Sequence, residues 1–160
     1  MELTLRPVAA SDRPALVDVL ERTAQFTPDE VEVALELIDE ALERGEASSY
    51  RVIVALHNDL PVGYVCYGRT PMTDATYDLY WIVVDPTRRG GGVGRRLWGA
   101  CEAAVRTEGG RLVRIETSSV ELYGDTQAFY DRIGFLEVAR IPDFYRAGDD
   151  LITYTWRAAE

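Results

Sequence analysis

The spacing of apolar and polar positions changes several times along this chain, and each change marks an element. Leu3-Thr4-Leu5-Arg6-Pro7 alternates as a short strand does, and Ser11-Asp12-Arg13-Pro14 supplies start signals for a helix from about Pro14 to Thr23. Thr27-Pro28-Asp29-Glu30 repeats the signal as a capping box, with Thr27 as N-cap, Pro28 in the first turn and Glu30 three residues on. Behind it Val31, Ala34, Leu35, Ile38, Ala41 and Leu42 recur at helical spacing up to Gly45, which predicts one buried stripe. The other face holds Glu32, Glu36, Asp39, Glu40 and Glu43, with Arg44 opposing them.

From Tyr50 the period drops to two. Tyr50 to His57 and Pro61 to Arg69 read as strands joined by a turn at Asn58-Asp59. A third strand, Tyr77 to Val84, stops at Asp85-Pro86, because proline cannot continue a central strand. Strict alternation along it places Asp78 on one face with Tyr80, Ile82 and Val84. After a glycine-rich stretch, Val93, Leu97, Cys101, Ala104 and Val105 form the apolar face of a helix that reaches Arg106 and stops at Gly109-Gly110. Arg111 to Thr117 reads as a strand, and Asp125 to Ile133 as a short helix closed by Gly134. Phe135 to Ile141 and Leu151 to Trp156 are the last strands, with Asp143 to Asp150 a loop between them. No repeat, low-complexity tract or linker breaks the pattern, so residues 1–160 are expected to form one α+β domain with a mixed sheet.

Composition narrows the chemistry. All 17 basic residues are arginine. A chain without lysine has no Walker-type phosphate lysine, no Schiff base and no lysine general base. The formal charge of −10 argues against nucleic acid as a partner, since affinity for phosphate backbones comes from clustered cations. Cys66 and Cys101 each lie in an apolar segment, far apart, and read as two buried thiols of a reducing compartment. His57, the only histidine, falls beside the Asn58-Asp59 turn as an exposed turn residue; with two distant cysteines it cannot complete a tetrahedral zinc site, so no metal is expected. No apolar run approaches the roughly 18 residues of a spanning helix, and the first residues form no signal segment. The expectation is a cytoplasmic protein with no membrane partner.

The informative stretch joins the third long strand to the helix after it. Gly90, Gly91, Gly92 and Gly94 fall within five residues at a helix start, where backbone N–H groups and the positive end of the helix dipole favour an anion. Arg88, Arg89, Arg95 and Arg96 surround them, and with Asp85 the segment from 85 to 96 carries +3 inside a chain of −10. The alternative on spacing alone is a flexible loop followed by a solvated arginine face. A Rossmann fingerprint begun at Gly92 or Gly90 needs glycine or alanine where Leu97 or Arg95 stands, and a P-loop needs a lysine, so both fail. What fits is Arg-x-x-Gly-x-Gly at Arg89, Gly92 and Gly94. Downstream, Ala128-Phe129-Tyr130-Asp131-Arg132-Ile133-Gly134-Phe135 supplies a Phe-Tyr-x-x-x-Gly-Phe segment. In these two motifs and their order the chain resembles the GNAT superfamily of N-acetyltransferases.

The resemblance implies an α/β/α layered fold on a mixed, mostly antiparallel central sheet of about six to seven strands with about four helices. It implies acetyl-CoA as cosubstrate, without a metal, and direct transfer of the acetyl group to an amine. Backbone N–H groups around Ile82, Val83 and Val84 would then bind the pantetheine and acetyl oxygen. Those of Arg89, Gly90, Gly91, Gly92, Val93, Gly94 and Arg95 would hold the pyrophosphate. Tyr130 matches the tyrosine that protonates the departing sulfur; the competing role is packing in the helix. For the general base, Asp78 is the only acid in its strand, Glu116 is the rival, and a water relay is equally open. The family often has an asparagine seven residues before the tyrosine, where this chain has Tyr123.

In this fold the helix pair after strand one and the loop between the last strands usually wall the acceptor. Here they hold eight acids and one arginine from Asp29 to Glu46, and three acids from Asp143 to Asp150. Such walls favour a cationic small molecule or a peptide amine, and a solvated acidic helix face is the competing account. Family members are often dimers, so a homodimer is among the implied states. Two other classes stay open: a non-catalytic acyl-CoA sensor or scaffold of the same fold, and a nucleotide-binding regulatory domain.

Overall fold

The computed structural model describes residues 1–120 and 124–159. Its elements are β1 (Thr4–Pro7), α1 (Arg13–Arg22), α2 (Pro28–Arg44), β2 (Arg51–His57), β3 (Leu60–Arg69), β4 (Thr76–Val84), α3 (Val93–Thr107), β5 (Leu112–Ser118), α4 (Gly124–Arg132), β6 (Leu136–Arg146) and β7 (Asp149–Arg157). All seven strands join one sheet in the order β1-β2-β3-β4-β5-β7-β6. Neighbours run antiparallel except β4 and β5, the one parallel pair. This is the mixed, mostly antiparallel sheet with four helices that the resemblance implied.

Two cores hold the layers together. Leu16, Val19 and Leu20 of α1 and Ala34, Ile38 and Ala41 of α2 pack with Val52, Val54, Tyr64, Cys66 and Val83 on one face of the sheet. On the other face Leu97, Trp98, Cys101 and Val105 of α3 pack with Val65, Val113, Ile115, Ile152 and Trp156, and Tyr130 of α4 joins them. Cys66 and Cys101 therefore lie buried and free on opposite faces of the sheet. The capping box is formed as expected: Glu30 N–H donates to Thr27 Oγ1 at 3.2 Å, and Thr27 N–H donates to Glu30 Oε2 at 3.4 Å. Asn58 and Asp59 take φ of 50° and 62°, the left-handed pair that a two-residue hairpin turn requires. No helix among the described residues is long and apolar enough to cross a membrane.

The structure corrects two expectations. Asp143 to Asp150 is not a loop, because β6 runs to Arg146 and β7 starts at Asp149, leaving a tight turn at Ala147-Gly148 with Gly148 at φ 80°. The acids that looked like loop charge build this turn. Asp143 Oδ1 accepts from Gly148 N–H at 2.7 Å, and Asp150 Oδ1 accepts from Asp143 N–H at 3.0 Å. Strict alternation along β4 also fails. Cys66 pairs with Trp81 while Tyr67 pairs with Leu79, so Tyr80 is an extra residue in a β-bulge. Tyr80 and Trp81 both pack on the α1/α2 side, and Ile82 and Val84 turn to the α3 side. Asp78 therefore shares its face with Tyr80, Trp81 and Val83, not with Ile82 and Val84.

Candidate active site

β4 and β5 pair only at Thr76↔Leu112, Tyr77↔Val113 and Asp78↔Arg114. Beyond Asp78 the two strands diverge, while β4 stays paired with β3 through Val84. Asp85 N–H donates to Val62 O of β3 at 2.8 Å. Since successive residues of a strand point their backbone groups to opposite edges, the N–H groups of Val84 and Ile82 face the gap toward β5. These are the unpaired donors a thioester oxygen or a pantetheine amide could use.

The glycine loop starts where this gap opens. Asp85 is buried, and its carboxylate accepts from Thr87 N–H at 2.9 Å, Thr87 Oγ1 at 2.8 Å and Arg22 Nη2 at 2.7 Å. Burial pushes its pKa up, but the hydrogen bonds from Thr87 and the Arg22 guanidinium outweigh burial and hold it below the ordinary aspartate value. Gly90 and Gly92 take φ of 80° and 78°, the left-handed region that costs a side chain, and a Cβ on either would meet nothing within 4 Å. Gly92 caps α3 without any side-chain bond, and the first helical bond runs from Arg96 N–H to Gly92 O. The N–H groups of Val93, Gly94 and Arg95 thus precede the hydrogen-bond ladder at the positive end of α3. This open cradle fits a pyrophosphate.

The four arginines divide. Arg89 Nη2 donates to Gln25 Oε1 at 2.9 Å and Arg96 Nη2 to Leu3 O at 3.2 Å, fastening the loop to the N-terminal part of the chain. Arg88 and Arg95 are exposed and have no partner among the described residues. All four keep their positive charge at the loop, since the acceptors of Arg89 and Arg96 are neutral, and Arg88 and Arg95 are the two whose side chains are free to move.

Phe129 brings the two motifs together. A Cβ on Gly94 would stand 3.2 Å from Phe129 Cε2 and Cζ and 3.7 Å from Val84 Cγ2, so the α4 ring lies against the glycine loop and the end of β4. Tyr130 is 3% exposed, edge-on to Phe129 and Phe135 at ring distances of 5.5 Å each. Burial alone pushes its phenol pKa up. Tyr123 lies outside the described residues.

Across the sheet, Asp78 Oδ2 accepts from Thr70 Oγ1 and Asp78 Oδ1 from Arg114 Nε, both at 2.8 Å. Arg114 reaches Glu116 at 3.8 Å, and the Glu116 side chain is 46% exposed. The phenol pKa of Tyr145, in β6, is raised first by burial and then by the charges of Glu116, Asp149 and Glu30. His57 lies at its hairpin, but as the half-buried last residue of β2 rather than an exposed turn residue, with Nδ1 3.1 Å from Glu2 O. Sequence reasoning missed the Arg22–Asp85–Thr87 anchor, whose signal is an Asx cap in Asp85-Pro86-Thr87, and the Asp78–Arg114 pair, which has none. A concavity of about 460 Å³ lies at the opposite end of β4, lined by Arg51, Arg69, Thr70 and Tyr77, and contains none of the predicted site residues.

A family model for the acetyltransferase (GNAT) domain matches residues 48–137. The chain belongs to the GNAT family. A GNAT-family protein from Desulfovibrio desulfuricans is 45% identical over 99% of this chain and 100% of its own, with a TM-score of 0.95. An aminoglycoside 6'-N-acetyltransferase solved with coenzyme A is 18% identical over 98% of both chains at a TM-score of 0.77. The ribosomal-protein-S18-alanine N-acetyltransferase from Escherichia coli is 19% identical over 99% of this chain and 96% of its own at 0.78. The last two show the fold alone. No curated protein sequence matches the chain.

Proposed function

We propose that this GNAT chain is an acetyl-CoA-dependent N-acetyltransferase that passes the acetyl group directly to a primary amine. The observation that carries the reading is the gap between β4 and β5, opening beside a glycine cradle against which the Phe129-Tyr130 motif packs. The loop N–H groups with Arg88 and Arg95 receive the pyrophosphate, and the N–H groups of Ile82 and Val84 polarise the thioester carbonyl. The amine nitrogen attacks the carbonyl carbon, the C–S bond breaks, and the sulfur leaves as thiolate. Tyr130 donates to that sulfur. A phenol raised above its ordinary value stays protonated at neutral pH, and the dry surroundings that raise it also destabilise the thiolate, so the donation is not lost.

The proton of the amine goes the other way. Asp78, the carboxylate that the strand offers as base, has both oxygens committed to Thr70 and Arg114, so its role in this proposal is to hold Arg114. Glu116, half exposed on the same face, or a water beside it, takes the proton. The acids of α2 and the half-exposed Glu116 are the ground for a cationic acceptor, a small molecule or a peptide amine. A cytoplasmic setting belongs to the same proposal, since both thiols are free.

The test is acetyl-CoA consumption across cationic, neutral and anionic amines, with coenzyme A binding measured in parallel. Turnover on amines with preference for cations supports the reading. Binding without turnover on any amine would make the chain an acyl-CoA sensor. Tyr130→Phe is expected to lower kcat by about 100-fold or more with little change in the KM for acetyl-CoA; an unchanged kcat removes Tyr130 from the chemistry.

A further inference from the structure

At the end of β4 away from the gap, the chain builds a second charged hollow. Arg51 of β2 stands opposite Tyr67 of β3, and Arg69, two residues further along β3, stands opposite Tyr77 of β4. Cross-strand partners and alternate residues share a face, so both arginines lie on the face of Tyr67 and Tyr77, whose rings pack with α3. Glu108 closes the C-terminal end of that helix. Its N–H donates to Ala104 O at 3.1 Å, and its Oε2 accepts from Tyr77 OH at 2.7 Å. Gly110 lets the chain pass this close to the ring, since a Cβ there would stand 2.8 Å from Tyr77 Cε2. Arg51, Arg69 and Glu108 thereby line one concavity of about 460 Å³.

Their charges do not meet. Nine arginines of the chain are ion-paired. Among the described residues Arg51, Arg69 and Glu108 form no ion pair, although they share a hollow. Arg51 is held by neutral acceptors: Nη1 donates to Ser48 O at 2.7 Å and Nη2 to Glu46 O at 3.1 Å. The Nε–H and one N–H on each Nη stay uncommitted. Arg69 Nη2 likewise donates to a backbone oxygen, that of Asp74. Carbonyl oxygens thus orient both guanidinium groups without neutralising them. A simple cation entering the hollow would meet two like charges, and an anion alone would meet Glu108. A ligand that carries both signs satisfies all three side chains.

We infer that this concavity is a second binding site, for a free α-amino acid, whose carboxylate lies on Arg51 and Arg69 and whose ammonium group lies on Glu108. Planar guanidinium groups suit a carboxylate, and a short stem between the two charges lets one small molecule span the opposed walls. The site is separate from acetyl transfer. It lies at the end of β4 where Thr76 and Tyr77 are still paired with β5, whereas the gap opens beyond Asp78.

Titration calorimetry of the full chain, without acetyl-CoA, tests a panel of free L-amino acids. For each binder the N-acetyl derivative lacks the ammonium charge and the amide derivative lacks the carboxylate. At least one amino acid should bind with a Kd of about 1 mM or tighter, and its two derivatives about tenfold more weakly. Arg51→Gln and Arg69→Gln should each weaken the amino acid by about tenfold or more. Glu108→Gln should weaken the amino acid yet leave its N-acetyl derivative bound as well or better, a change of preference that a general loss of structure does not produce. Circular dichroism checks each fold. Arg51→Gln also loses the bonds to Ser48 and Glu46, so if it is unfolded the exposed Arg69 decides through Arg69→Gln. No amino acid bound below about 10 mM, a bound one indifferent to Arg69→Gln, or an unchanged preference in Glu108→Gln would each overturn the inference.

Discussion

Asp85 fixes where the glycine loop leaves β4, and its two oxygens do different work. Oδ1 accepts from both the N–H and the hydroxyl of Thr87, while Oδ2 accepts from Arg22. Asp85→Asn separates the two. With its amide oxygen at Oδ1 the variant keeps both Thr87 bonds, and its NH₂ faces Arg22, donor against donor. The Arg22 side chain is 53% exposed and can turn to water, so the loss is screened and costs about 1 kcal/mol. For a chain of 160 residues that lowers Tm by roughly 2–4 °C. Asp85→Ala also abandons the Thr87 cap at the start of the loop, for about 2–3 kcal/mol and roughly 5–10 °C in all. Because the loop begins there, the alanine variant should also raise the KM for acetyl-CoA about tenfold, the asparagine variant far less. Scanning calorimetry and initial rates measure both. The pH dependence has a definite sign: the folded pKa is depressed, so the carboxylate's contribution is present above the unfolded value near 3.8 and lost as pH falls through the lower folded value. The Tm gap between wild type and Asp85→Asn should therefore be flat from about pH 8 to 5 and close only below about pH 4. An asparagine variant as damaged as the alanine one, or an alanine variant with wild-type Tm and KM, would refute this division of labour.

Two further outcomes follow from the same geometry. Gly92→Ala forces a side chain to φ 78°, with open space around it, so about 1–2 kcal/mol is lost from the backbone alone; the KM for acetyl-CoA should rise while kcat on saturating substrate changes little, and a wild-type KM would remove Gly92 from the cradle. Glu116→Gln removes the proposed proton acceptor and one half-exposed negative charge, so kcat should fall by about tenfold or more and preference for cationic over neutral amines by about threefold; an unchanged kcat would leave the proton to water alone.

The fold was legible because local signals agree with global packing. The capping box at Thr27, the stripe from Val31 to Leu42 and the Asn58-Asp59 turn each state their structure within a few residues, and each is formed. The bulge in β4 was not legible. It is set by pairing with β3, and Tyr80-Trp81 carries no glycine or proline to mark the extra residue. The same holds for Val138 in β6. Acids misled for a related reason: Asp143 and Asp150 read as exposed charge, yet both carboxylates accept backbone N–H groups in the hairpin. Backbone donors such as those of Ile82 and Val84 leave no trace in sequence, since any side chain can stand above them.

The absence of lysine is an exclusion at the level of composition and acquires a positive meaning in the structure. Arg6 holds Asp12 by two bonds at 2.7 and 2.8 Å, and Arg13 holds Asp39 by two at 2.6 and 2.9 Å. A guanidinium fork suits such paired contacts where an ammonium gives a point charge. Arg22, Arg114 and Arg140 likewise each bind a carboxylate, on the loop anchor, the β4–β5 junction and the β6 edge respectively. The charge of these arginines is thereby neutralised in place. The glycine loop differs: among the described residues none of its four arginines is ion-paired, Arg89 and Arg96 bonding neutral oxygens and Arg88 and Arg95 standing exposed without a side-chain partner. On the proposed function, all four guanidinium charges and the start of α3 would supply the field that draws an anionic thioester, and Arg88 and Arg95 would be the side chains free to move onto its phosphates.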